Sequence, residues 1–168
     1  SFVKMPQTIG SQNSLTPAVT SDIVINEFLA SNGTTQTDQD GEFDDWIEIY
    51  NKGNSSVNIS NYRLTDDAND LTVFTFPSGT ILNANSYLIV WADGDTMQAG
   101  LHADFKISTG GENLYLTDSV LNFIDSIGFG NQTTDVSYGR FPNGTGTFQT
   151  MTPTYNAQNS IINNSSVD

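Results

Sequence analysis

Residues 37–51 read TDQDGEFDDWIEIYN, and the change of pattern inside this stretch decides the fold. Five carboxylates, on Asp38, Asp40, Glu42, Asp44 and Asp45, are followed at once by a run in which Ile47 and Ile49 oppose Trp46, Glu48 and Tyr50. A side-chain period of two belongs to a β-strand, because successive Cβ atoms leave opposite faces of the pleat. Asp and Gly in the preceding run are turn chemistry. The stretch therefore reads as a charged loop opening into a strand.

The same alternation recurs at short intervals on either side. Ile23–Leu29 places Ile23, Ile25, Glu27 and Leu29 on one face, and Val24, Asn26 and Phe28 on the other. Further extended stretches are expected at 57–64 with a break near Ser60-Asn61, and at 71–76, stopped by Pro77 and Gly79. Others fall at 103–107, 113–116, 121–129 and 136–141. The run YLIVW at 87–91 is the most apolar and is expected to be a central strand. The gaps hold DGD, TGG, TD, GNQ and PNG, all turn-forming. No window shows a helical period over ten residues. Many short strands at this spacing imply an all-β, antiparallel sandwich or barrel. Residues 1–21 mix Pro, Gly, Ser, Thr and Gln without period and read as a flexible leader or linker, with a short ordered piece around Phe2 to Met5. The folded domain is expected over 22–159. The polar tail, from about Ala157 and through 160–168, reads as loose.

Composition narrows the function classes. The 168 residues suit one ordinary domain with some tail. Five basic against nineteen acidic residues give a net charge of −14, a field that repels nucleic-acid phosphates and anionic lipid. Nucleic acid is therefore not an expected partner. Nor is membrane insertion, since no stretch approaches the ~18 apolar residues of a span. Without cysteine there are no disulfides, thiolate metal sites or Cys nucleophile. Fifteen of the acidic residues are Asp, the carboxylate of turns and calcium loops. Abundant Asn, Thr and Ser with few Lys resembles exported bacterial proteins, so the expected location is extracellular or cell-surface.

The ordered succession of several segments resembles bacterial lamin tail domains. INEFLASN at 25–32, DGEFDDWIEIYN at 40–51 and NISNYRLTDD at 58–67 match the opening pattern. FTFPSGTILNANSYLIVWADGD at 74–95, LHADFKIS at 101–108 and GENLYLTD at 111–118 continue it. IDSIGFGNQTTDVSYGR at 124–140 and TPTYNAQN at 152–159 close it. The resemblance spans roughly residues 22–159. It implies an immunoglobulin-like β-sandwich, and a module of secreted or surface proteins with neighbouring domains beside it. It implies no catalytic residues. The basic surface of some nuclear relatives is missing here, so DNA or chromatin binding is not implied.

Several constellations could carry chemistry. Asp38-x-Asp40-Gly41-x-x-Asp44 has the rhythm of a calcium loop, with Glu42 and Asp45 as further oxygen donors. A full EF-type loop needs a bidentate Glu at its twelfth position, which here is Ile49. Ca²⁺ binding and a solvated acidic turn both remain open. Trp91-Ala-Asp93-Gly-Asp95 joins an aromatic to two carboxylates, as a sugar site would, and Trp46 beside Asp44 and Asp45 is similar. The alternative is that both indoles simply pack in the sandwich. His102 shares a strand face with Asp104 and has Ser108 nearby, but no GxSxG elbow accompanies them. One histidine is too few for a zinc site of ordinary make-up. Glu27 and Glu48, set in apolar strands, would approach each other if those strands pair, as an acid/base couple does, with Arg63 or Lys106 available to neutralise one. Gly128, Gly130 and Gly139 read as bulges or close backbone passes. The expected function is a non-catalytic module that binds carbohydrate or protein, with Ca²⁺ ordering its acidic loop. A structural or assembly domain and a carboxylate hydrolase are the alternatives.

Overall fold

The computed structural model describes residues 21–161, and every regular element in that range is a strand. In chain order they are β1 (Ile23–Leu29), β2 (Trp46–Asn51), β3 (Val57–Asn58), β4 (Arg63–Thr65), β5 (Phe74–Thr75) and β6 (Ile81–Leu82). They continue with β7 (Tyr87–Ala92), β8 (His102–Ala103), β9 (Glu112–Thr117), β10 (Phe123–Phe129), β11 (Ser137–Phe141) and β12 (Thr147–Met151). A six-stranded sheet runs β12-β11-β1-β2-β7-β8 and a four-stranded sheet runs β10-β9-β4-β5, with β3 and β6 as a separate ribbon. All pairings are antiparallel except β7 with β8, which are parallel. No described helix is long and apolar enough to cross a membrane. The expected leader, with its ordered piece near Phe2, lies outside the described residues, as does most of the tail beyond 160.

The two main sheets close over one apolar layer. Ile25, Phe28, Ile47, Ile49 and Val90 from the larger sheet meet Leu64, Leu114, Leu116 and Ile124 from the smaller one. Phe28 is fully buried, and its ring lies 4.4 Å from that of Phe129 and 5.9 Å from that of Tyr138. This is the interior that period-two alternation demands of an immunoglobulin-like sandwich.

Three local expectations are corrected. The β1–β2 register shifts between Ile25 and Glu27, so Asn26 is an extra residue opposite one partner. That bulge inverts the alternation downstream: Phe28 joins Ile23 and Ile25 in the core, while Glu27 and Leu29 turn to the other face. The extended run expected at 103–107 shrinks to two residues, since Asp93 and Lys106 form only an isolated bridge. Leu121, expected in a strand, sits in a turn at φ 68°. Two strands escaped the sequence reading. β6 has only two residues, and β12 (Thr-Phe-Gln-Thr-Met) carries too little apolar signal to stand out.

The second face of the six-stranded sheet is also covered. Segment 152–161 leaves β12 and lies across β11, β1 and β2 as a strap. Its Asn159 is only 1% exposed and donates through Nδ2 to the carbonyls of Asn26 (3.1 Å) and Arg140 (2.9 Å). Ala157 onward, expected to be loose, is thus pinned at Asn159. Gly139 makes this possible. A Cβ there would come within 2.8 Å of Asn159 Nδ2 and 3.0 Å of Glu27 Cγ, so the close pass read from the sequence is present.

Candidate functional site

Two groups of polar side chains stand out, and the sheet places them differently. One lies under the strap. Glu27 and Glu48 are direct partners in the β1–β2 register, and both are fully buried. Thr154 donates from its amide to Glu27 Oε1 (2.9 Å) and lies 2.5 Å through its hydroxyl from Oε2. Asn26 Nδ2 and the Asn156 amide donate to the two oxygens of Glu48, at 2.9 and 2.8 Å. Burial pushes the Glu48 carboxyl up to about 8, with the nearby Glu27 charge adding to it, and burial also raises Glu27. Neither Arg63 nor Lys106 reaches the pair. Arg63 donates to Thr75, and among the described residues Arg140 is the basic side chain that forms an ion pair, with Asp125. The carboxylates do meet, as the strand pairing implied. Their oxygens, however, are used to hold the strap, and the strap closes them off from a substrate.

The tryptophans belong to the same covered face. Trp46 is 0% and Trp91 4% exposed, and Tyr155 from the strap packs edge-on to Trp46 and tilted over Trp91. Expected as candidate sugar-stacking residues, they instead form an interior cluster with Leu29. Buried indoles offer no free ring to a sugar. Asp95 stays exposed at the rim, where it accepts from Gln98.

The second group is the acidic rim at the open end of β2 and β7. Asp38 organises it. Its Oδ1 accepts the amides of Asp40 and Glu42, both at 2.9 Å, and the Asp38 amide donates back to the Glu42 carbonyl. Gly41 sits at φ 87°, which lets this loop turn so tightly. Asp38 itself is 8% exposed, and its Oδ2 is buried without a hydrogen-bond partner. Donor atoms of Asp38, Glu42 and Asp44 lie within 4.8 Å of one another. Burial raises the Asp44 carboxyl, and the charges of Asp93, Asp38 and Glu42 push it further. Of the five loop carboxylates, three therefore converge. Asp40 faces solvent, and Asp45 turns away to accept the Asn32 amide, with burial pushing its carboxyl up to about 6. The neighbouring loop after β7 closes the group, since Gln98 Nε2 donates to Glu42 Oε2 at 2.7 Å while its Oε1 is buried and unpaired.

His102 joins this rim rather than a triad. Its Nδ1 lies 2.6 Å from Asp93 Oδ2, not beside Asp104, because β8 ends at Ala103 and Asp104 is exposed. No sequence periodicity points to Asp93, which stands nine residues earlier, just past the end of the strand that β8 joins in parallel. Donor atoms of Asp38, Asp93 and His102 also lie within 4.8 Å of one another.

A two-sheet antiparallel sandwich with a loop-borne rim and a sealed carboxylate pair defines an immunoglobulin-like module. The chain belongs to the lamin tail domain family, whose model matches residues 16–131. That match takes in every strand from β1 to β10 and the whole acidic rim. Membership places the chain among immunoglobulin-like modules that are in general non-enzymatic. A comparison with curated proteins finds none that matches.

Proposed function

We propose that this domain is a non-catalytic binding module of an exported, cell-surface bacterial protein, in which Ca²⁺ held by Asp38, Glu42 and Asp44 orders the acidic loop against the loop after β7. The supporting observation is the convergence of three carboxylates from one seven-residue stretch around Asp38. Hard oxygen donors on a flexible loop suit Ca²⁺, which takes six to eight of them, and the unpaired Gln98 Oε1 is a further donor beside Glu42. The rim also presents Phe43 and Met97, 47% and 91% exposed. With both tryptophans enclosed, such apolar side chains favour a protein partner over a carbohydrate.

The alternative is a structural spacer between neighbouring domains, which needs no ligand. Calcium titration with a thermal readout tests the cation. Millimolar Ca²⁺ raises Tm in the parent and not in the Glu42→Gln, Asp44→Asn double variant, because a ligand bound only to the folded state stabilises by mass action. An unchanged parent Tm removes the calcium reading. Binding to a glycan array with and without chelator decides between carbohydrate and the other two readings, since protein partner and spacer both leave the array blank.

A further inference from the structure

The calcium reading uses only oxygen donors and leaves His102 and Asp93 unexplained. We propose that Asp38, Asp93 and His102 form an inner site for a borderline divalent transition metal of the Zn²⁺ class. The site shares Asp38 with the outer group but does not depend on calcium being bound there.

Three observations carry it. All three side chains are more than nine-tenths buried, with residue exposures of 8%, 8% and 6%, and their donor atoms lie within 4.8 Å of one another. Asp38 keeps Oδ2 buried without a partner, an arrangement that desolvates a carboxylate oxygen for no return unless a cation meets it. The third observation is the orientation of the imidazole. His102 Nδ1 faces Asp93 Oδ2, while Nε2 lies 3.2 Å from the Ala99 carbonyl, which can only accept. With the proton on Nε2, that N–H donates to Ala99 and the Nδ1 lone pair points at a carboxylate. A metal beside both atoms would then bridge them, whereas a proton on Nδ1 instead donates to Asp93 and leaves Nε2 to accept from the Gln39 amide. A carbonyl that takes the distal imidazole N–H is the usual outer partner of a metal-bound histidine. Gln39 lies on the same nitrogen, and turning its amide over gives Nε2–H a second acceptor.

The nitrogen ligand sets the metal class. Imidazole with carboxylates suits Zn²⁺ and its neighbours, whereas Ca²⁺ prefers all-oxygen shells. Counting histidines argued against zinc because structural sites use four Cys or His ligands. Two Asp and one His instead make a three-ligand site with an open position, which that count does not address.

The chain has one histidine, so its imidazole signals are unambiguous. ZnCl₂ titrated into chelator-stripped protein is followed by calorimetry and by ¹⁵N–¹H spectra of the His102 ring. One equivalent of Zn²⁺ is expected to shift Nδ1 and leave Nε2 protonated. Zn²⁺ affinity is expected to fall at least tenfold in His102→Gln and in Asp93→Asn, and to survive in Glu42→Gln, Asp44→Asn. Calcium stabilisation should behave in the opposite way, lost in the double variant and kept in His102→Gln. Zinc without calcium would therefore end the outer reading alone, and calcium without zinc would end this one. A His102 ring untouched by Zn²⁺ in the parent protein overturns the inner site even if the variants do not fold.

Discussion

The six-stranded sheet has two faces, and both are dry, yet they are built by opposite means. The inner face is aliphatic and aromatic throughout, with Ile25, Phe28, Ile47, Ile49 and Val90 packed on the second sheet. The outer face carries Glu27, Glu48 and Asn26 beside Trp46 and Trp91, covered by the strap and, over Asn26, by the turn between β11 and β12. On the first face, burial is driven by apolar area and tolerates imprecise geometry. On the second, the buried carboxylates and Asn side chains are held by named partners, since an unpaired polar atom costs about 1–3 kcal/mol, although Trp46 Nε1 is buried there without one. Stability on the outer face therefore rests on a few directional contacts and responds to pH through its two raised carboxyls.

The comparison breaks first at the core. Phe28→Ala should lower unfolding free energy by about 3–5 kcal/mol in chemical denaturation, the range for removing a buried aromatic ring. An effect below about 1 kcal/mol would mean the two sheets do not close over that ring. Next comes the strap. Asn159→Ala leaves the Asn26 and Arg140 carbonyls without their donor and should cost about 2–3 kcal/mol. The loss should be accompanied by faster amide exchange at Thr154 and Asn156, and protection unchanged at those amides would show the strap is held by other means.

The pH response sharpens the contrast further. A carboxyl whose folded pKa lies above its unfolded value keeps its proton in the folded chain where the unfolded chain has lost it. Glu48, raised from 4.5 to about 8, therefore contributes stability that is full below 4.5 and is lost as pH rises through about 8. Tm should fall between pH 5 and 8, with a slope of at most roughly 1.4 kcal/mol per pH unit for this one proton. Glu48→Gln should flatten that slope while retaining one of the Asn26 and Asn156 contacts, since the Gln amide has a single acceptor oxygen. An equally steep slope in the variant would assign the dependence elsewhere. Smallest is Tyr155→Ala, expected to cost about 1 kcal/mol, the scale of an aromatic pair. Its clearer sign is tryptophan fluorescence, since Trp46 and Trp91 should become open to acrylamide quenching, and unchanged quenching would mean the strap is not their cover.

Legibility in the sequence follows the range of each interaction. The alternation of Ile47 and Ile49 against Trp46 and Glu48 was readable because neighbours in the chain set it. The bulge at Asn26 was not, since an extra residue in a strand leaves no mark on composition. The rim was half readable. The loop rhythm picked out Asp38, Asp40 and Asp44, yet Asp40 faces solvent, while Glu42, read only as a further donor, converges with Asp38 and Asp44. Asp93 and His102 come together because β8 returns parallel to β7, and Asp104 lost its expected role when that strand ended at Ala103.

From its residues alone this chain specifies strands, turns, an acidic surface and one dry face, because pleat geometry and side-chain polarity act between near neighbours. Only the folded molecule decides that the other face is sealed as well. Asn26 and Asn159 are 133 positions apart, and Glu27 meets Thr154 across 127. Contacts at such separations depend on where whole strands lie, and no local pattern encodes that.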